Sequence, residues 1–131
     1  NILALAMIET AEGMANLDAI AATPGLDGIY VGPADLTLSL TQGRLPPGFD
    51  REEPEMIDAL QTIVAACKKN GIRAALHCGT PDYAARAIGW GFDMTTVGGD
   101  SRFLAGAAGA AGAGFRKLTE GVTTKTEKGA Y

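Results

Sequence analysis

Two acidic residues close two apolar runs in this chain. Glu9 ends the run Ile2-Leu-Ala-Leu-Ala-Met-Ile8, and Asp35 follows Gly28-Ile-Tyr-Val31 by a short turn. A carboxylate at the end of a buried strand is costly unless it is paired, hydrogen-bonded or bound to a cation. Two such acids from neighbouring strands would supply the hard oxygen ligands that Mg²⁺-like ions prefer. Leu3, Leu5, Met7 and Glu9 share one face of an extended strand, because side chains alternate. If that face points into a barrel, Glu9 lies at its mouth; the residue reads equally well as solvated, or as a cap of the next helix. Gly32-Pro33-Ala34-Asp35 reads as a rigid turn. Pro33 has no N–H, so the amides of Ala34 and Asp35 are the next donors, and successive amides make an anion-binding nest. A carboxylate-bearing substrate could sit there while Asp35 holds a metal. Taken alone, Asp35 also reads as the cap of a turn or short helix with Leu36 and Thr37.

Other candidates carry weaker signals. His77 is the chain's single histidine, and a lone histidine on a strand is more often packed and hydrogen-bonded than catalytic. Gly98-Gly99-Asp100 precedes a helix; it could bind an anion at the helix start, but Asp100 as a helix cap is the simpler reading, and its charge opposes an anion. Arg44, in a long loop, could reach the far end of a substrate, although solvation is its default. Cys78 has no base beside it in sequence, which makes it a poor nucleophile.

The elements that must position these residues alternate along the chain. Apolar runs at 2–9, 28–32, 72–78 and 94–98 read as strands. Residues 13–22, 54–69, 81–89 and 101–118 read as helices, the last capped by Asp100 or Ser101. The helix at 54–69 is the clearest, with Pro54 near its start, an apolar stripe from Met56 to Cys67, Lys68-Lys69 in its last turn and Asn70-Gly71 as the stop. Residues 37–53 read as a long loop broken by Gly43, Pro46, Pro47 and Gly48. Residues 119–131 read as a loose polar tail. Such alternation implies parallel pairing with right-handed crossovers. Glu9, Asp35, His77 and Asp100 all follow strands, where sites of barrels and of open α/β sheets lie. Complete (β/α)₈ barrels run to roughly 250 residues. The chain therefore reads as about four βα units, the C-terminal half of a TIM (β/α)₈ barrel over residues 1–118 with a tail at 119–131. The structural alternative is a complete open four-stranded sheet.

Composition excludes several classes. The 131 residues suffice for one domain, and 47% hydrophobic with 20% charged residues is a globular balance. A net charge of −4 argues against a nucleic-acid surface and against anionic membranes. The longest apolar stretch, Phe103 to Phe115, is too short to span a bilayer. The start lacks the pattern of a secretory signal, and two cysteines with no framework spacing fit a reducing, cytoplasmic setting.

Three segments together resemble one family. Ala6-Met-Ile-Glu-Thr10, Gly25-Leu-Asp-Gly-Ile-Tyr-Val-Gly-Pro-Ala-Asp-Leu36 and Val97-Gly-Gly-Asp100 are similar, in register, to the HpcH/HpaI aldolases, which are metal-dependent (class II) 2-oxo-acid aldolases. The resemblance runs from the first residue to about Leu118 and implies a barrel of the phosphoenolpyruvate/pyruvate type. It implies that Glu9 and Asp35 hold Mg²⁺, Mn²⁺ or Co²⁺, and that the turn Gly32-Pro33-Ala34-Asp35 binds pyruvate, with its carboxylate on the Ala34 and Asp35 amides. The implied reaction is reversible cleavage of a 4-hydroxy-2-oxo acid to pyruvate and an aldehyde. The family's base, a His held by an Asp, and its substrate-orienting Arg are expected in the N-terminal half, so no catalytic residue is assigned within this chain. His77 does not match that base. Met7 stands where some members carry a Gln near the metal's water. The last helix, rich in Gly from Leu104 to Phe115, is costly by itself and in this family packs between subunits, which implies a trimer or hexamer. Two alternatives follow: an incomplete barrel fragment that binds metal or 2-oxo acid, and an acyl-CoA lyase of the citrate lyase β type, for which no suitable basic patch is present.

Overall fold

The structure, a computed structural model, describes residues 2–122. The described residues divide into two compact units, 2–98 and 99–122. In the first unit, alternation in the apolar runs produces short strands. These are β1 (Leu5–Ile8), β2 (Gly28–Val31), β3 (Arg73–Leu76) and β4 (Met94–Thr95). They form one parallel sheet in the order β1-β2-β3-β4. Each strand pairs with the next in sequence, the order of a barrel wall rather than of a doubly wound sheet, whose order reverses.

The two faces of the sheet differ. Ile8, Ile29, Val31, Ala74 and Leu76 are buried in the core. Leu5, Met7 and Met94, on the other face, are 39%, 56% and 47% exposed. The core face is covered by α2 (Leu17–Ala21) and α4 (Pro54–Asn70), with α5 (Pro81–Trp90) beside β4. α4 buries Met56, Leu60, Ile63, Val64 and Cys67, the stripe expected from the sequence. Burying each Leu or Ile side chain contributes about 1.5–3 kcal/mol, and Leu60→Ala would cost about 2–5 kcal/mol. Gly71 ends α4 with φ 69°, a left-handed conformation that a side chain would strain.

Four local expectations are corrected. The helix expected at 13–22 is two pieces, α1 (Ala11–Ala15) and α2, broken at Asn16. Residues expected to open a long loop instead form α3 (Pro33–Leu40), with Pro33 at the first helical position, where its missing N–H costs nothing. The hydroxyls of Thr37 and Thr41 are buried in this short helix and donate to the carbonyls of Pro33 (2.6 Å) and Thr37 (2.7 Å). The fourth strand spans two residues rather than five, because only Ala75 and Leu76 are opposite it. In the second unit, α6 (Asp100–Leu118) takes Gly99, not Asp100 or Ser101, as its N-cap, and Asp100 Oδ1 accepts from the Ser101 amide inside the first turn. Thr119 is the C-cap of α6, and most of the expected tail, 123–131, lies outside the described residues. No helix among the described residues is long and apolar enough to cross a membrane.

Candidate active site

The C-terminal ends of β1, β2 and β3 frame a recess of about 240 Å³, lined by Glu9, Gly32, Ala34, Asp35 and His77, with Met7, Tyr30, Pro33 and Phe49 completing its wall. The hydrogen-bond ladder fixes which residues meet there. Gly32 N donates to Ile8 O and His77 N donates to Val31 O, both at 3.2 Å. These bonds extend the register Ile8↔Val31↔Leu76 by one rung. Glu9, Gly32 and His77 thus stand in one row on the same face, with the glycine in the middle. A Cβ at Gly32 would lie 2.7 Å from Glu9 Oε2. The missing side chain is what lets the Glu9 carboxylate lean over β2.

Glu9 is half-buried and Asp35 exposed. Neither carboxylate makes a hydrogen bond or ion pair among the described residues. The capping role open to Glu9 is taken by Thr10, whose hydroxyl accepts from Gly13 N at 2.9 Å. Asp35 sits in the first turn of α3 rather than in a free turn. The Ala34 and Asp35 amides are therefore among the first-turn donors that have no partner within a helix, and the helix dipole adds to their pull on an anion. This is the donor pair that the sequence points to, placed on a firmer support.

His77 is brought to the same recess. Its Nδ1 is 2.8 Å from the Tyr30 hydroxyl, and its ring packs on Phe49 with centroids 4.6 Å apart. Burial raises Tyr30 above the usual phenol range, so it remains a neutral hydroxyl. Phe49 is held in place by its neighbour in sequence. Asp50 accepts from Gly79 N and from the Thr80 hydroxyl, each at 2.7 Å. Tyr83 donates to Arg51 O at 2.5 Å, and Arg86 pairs with Glu52 through both guanidinium nitrogens at 2.6 and 2.8 Å. Phe49 and this latch carry no sequence signal beyond a charged stretch before a proline.

The weaker candidates separate from the site. Arg44 is paired with Glu55 at 2.5 Å on the surface. Cys78 is buried and its thiol is pushed up to about 11, chiefly by burial and then by the Asp50 charge, which keeps it protonated and unreactive. Among the described residues no group of three or more His, Cys, Asp and Glu side chains has metal-holding geometry. Glu9 and Asp35 line the same recess, and carboxylate oxygens are the donor type that hard divalent ions take.

A parallel, sequentially ordered βα arc with its free polar groups at the strand C-termini defines a segment of a (β/α)₈ barrel. Comparison with known proteins places it more narrowly. The sequence pattern of the HpcH/HpaI aldolase/citrate lyase family matches residues 1–107, and the chain belongs to that family. It is 36% identical over 107 residues to a hydroxypyruvate/pyruvate aldolase of Rhizorhabdus wittichii, covering 82% of this chain and 41% of that protein. It is 39% identical over 100 residues to a 5-keto-4-deoxy-D-glucarate aldolase of Klebsiella pneumoniae, covering 76% and 37%. Among solved structures, an HpcH/HpaI aldolase/citrate lyase family protein from Burkholderia cenocepacia superimposes with a TM-score of 0.76 at 30% identity, covering 88% of this chain and 43% of that one. The chain thus spans about two fifths of the length of these relatives, and its sheet is half of their barrel.

Proposed function

We propose that this chain carries the metal and pyruvate half of a class II aldolase, a carbon–carbon lyase that reversibly cleaves a 4-hydroxy-2-oxo acid to pyruvate and an aldehyde. The observation that carries the reading is the pair of carboxylates, Glu9 and Asp35, left without protein partners at the C-terminal end of the sheet beside two free first-turn amides. Both carboxylates are open enough to reach a solvated cation, and Gly32 leaves the room that Glu9 occupies. In this reading Glu9 and Asp35 hold Mg²⁺, Mn²⁺ or Co²⁺. Such an ion would supply Lewis-acid polarisation of the 2-oxo group and leave open positions for substrate and water. The Ala34 and Asp35 amides, at the N-terminus of α3, bind and orient the substrate carboxylate. Gly32 and Pro33 keep side chains and a competing N–H out of that corner. Met7 borders the recess with an apolar side chain. The base and the substrate-orienting Arg belong to the other half of the barrel.

The test is methyl-proton exchange of pyruvate in D₂O, followed by NMR, with and without Mn²⁺ or Mg²⁺. Metal-dependent exchange that is lost in Glu9→Ala and Asp35→Ala supports the reading. Exchange no faster than the metal-only control leaves the chain a binding fragment at most. The relatives' names, an aldolase of hydroxypyruvate and pyruvate and one of 5-keto-4-deoxy-D-glucarate, fit a 2-oxo-acid substrate. A cytoplasmic setting and a trimer or hexamer built through the Gly-rich α6 belong to the same reading. A folded monomer in a sedimentation run would remove the assembly.

A further inference from the structure

The segment between α3 and α4 is built unlike the rest of the first unit. Connections between packed helices commonly run about 2–8 residues; this one occupies 41–53. None of residues 42–53 is fully buried, and none belongs to the hydrophobic core. Both of its roots are pinned, because Leu36 and Thr37 of α3 and Met56 of α4 are buried. A segment fixed at its ends and absent from the core can lift while the core stays folded. It leaves α3 through Gln42, whose φ of 52° is the one positive value at a non-glycine among the described residues. Such a conformation persists only where its surroundings hold it.

What holds the segment is local and polar. Arg51 donates to Pro46 O at 3.2 Å and to Glu53 Oε2 at 3.0 Å, which ties residues 46–53 into one strap. Beyond the Arg44–Glu55 pair at its root, the strap is fastened through three consecutive residues to the start of α5. Asp50 accepts from Gly79 N and Thr80, Arg51 O accepts from the Tyr83 hydroxyl, and Glu52 pairs with Arg86. Each tie contributes modestly, so closure depends on all of them together. Phe49, next to these anchors, is the side chain that the strap lays on the His77 ring, with centroids 4.6 Å apart. We propose that residues 42–53 form a lid over the β3 end of the recess, which opens as one unit when the Asp50, Arg51 and Glu52 ties release together and carries Phe49 off His77. No metal, substrate or residue of the other barrel half is needed for this motion.

The Gly79 amide reports the lid, since Asp50 is its hydrogen-bond partner and it has no other among the described residues. The experiment follows amide hydrogen exchange of the full chain by NMR at low guanidinium concentrations. The expected result is Gly79 exchange faster than that of the β2 amides, with a denaturant slope well below theirs. Tyr83→Phe removes the tie to Arg51 and leaves Asp50 and Gly79 untouched; it speeds Gly79 exchange about five-fold, the loss expected for one hydrogen bond. In the double variant Asp50→Ala, Glu52→Ala, the His77 ring protons lose the ring-current shift of Phe49 and take the positions they have in Phe49→Ala. These signals are unambiguous because His77 is the chain's only histidine. Gly79 exchange with the rate and slope of the β2 amides overturns the lid, because the strap then opens only when the whole unit unfolds. Gly79 exchange unchanged in Tyr83→Phe overturns the single unit, and His77 signals unmoved in the double variant overturn the gating of that ring. The first readout uses the unaltered chain and no pyruvate, so it stands apart from the exchange assay that tests the aldolase reading, and either idea can fail alone.

Discussion

The two ends of the same sheet use acidic residues in opposite ways. At the N-terminal ends of the strands, Asp27 Oδ2 accepts from Ala4 N at 2.8 Å. Asp93 is bound twice, by Arg73 Nη1 at 2.8 Å and Ala74 N at 3.0 Å. These contacts hold Asp93 below the usual carboxylate range, with the Ala74 amide as the largest cause and the Arg73 guanidinium as a further one. The recess at this end is the larger, about 370 Å³, but it is lined by Leu3, Leu5 and Met94 along with charges that are already satisfied. At the C-terminal ends, Glu9 and Asp35 have no such partners. The site proposed above is therefore the smaller recess, chosen for its unsatisfied donors and acceptors rather than for its size. The contrast follows the division of labour in βα barrels, with stability at one end and chemistry at the other.

Breaking the contrast from the functional end should give the largest effects. Glu9→Gln or Asp35→Asn should weaken Mn²⁺ binding by about a hundred-fold or more, since half of a two-residue ligand set is lost. Neither should lower thermal stability by more than about 0.5 kcal/mol, because no protein contact is removed. A parallel loss of stability and Mn²⁺ affinity would show that these carboxylates are structural. Gly32→Ala comes next. Its new Cβ, 2.7 Å from Glu9 Oε2, must push the carboxylate aside, so Mn²⁺ affinity should fall about ten-fold while the fold persists. Unchanged affinity would mean that Glu9 has no role over β2.

Effects at the structural end should be smaller and of the other kind. Asp93→Ala leaves the buried Ala74 amide without its partner and should cost about 1 kcal/mol in chemical denaturation, with Mn²⁺ binding intact. The pH dependence has a definite sign. The Asp93 carboxyl is lowered on folding, so its contribution is complete above the unfolded carboxylate range near pH 4. It is lost as the pH falls through the lowered folded value. Asp93→Asn should therefore flatten the acid limb of the stability curve. The smallest effect concerns Cys78, whose thiol is pushed up to about 11. Alkylation by iodoacetamide at pH 8 should be negligible in the folded chain; rapid labelling would mean that the latch around Asp50 opens.

The carboxylate pair was legible because it needs only two local facts, an apolar run and the acid that ends it. The fold class was legible for the same reason, since strand and helix periods alternate cleanly. The helix at Pro33–Leu40 was less visible. Leu36, Leu38 and Leu40 alternate as in a strand, and Thr37 and Ser39 are poor helix formers. What stabilises it is burial of Pro33 and Leu36 in the fold and the hydrogen bond from Ala11 N to Ser39 Oγ at 2.8 Å. The available signal was Pro33 at the start with Asp35 in the first turn. For His77, the expectation of a packed, hydrogen-bonded ring holds, with Phe49 and Tyr30 as its partners. Its place in one row with Glu9 and Gly32 was not readable, because register across strands is set by crossover lengths and core packing rather than by any local pattern.

Binding of Mn²⁺ measured by electron paramagnetic resonance, with and without pyruvate, tests the central claim most directly. The account predicts a single site whose affinity rises when pyruvate is added, and which is lost in the double variant Glu9→Gln, Asp35→Asn. Equal Mn²⁺ binding by the double variant and the unaltered chain would contradict it.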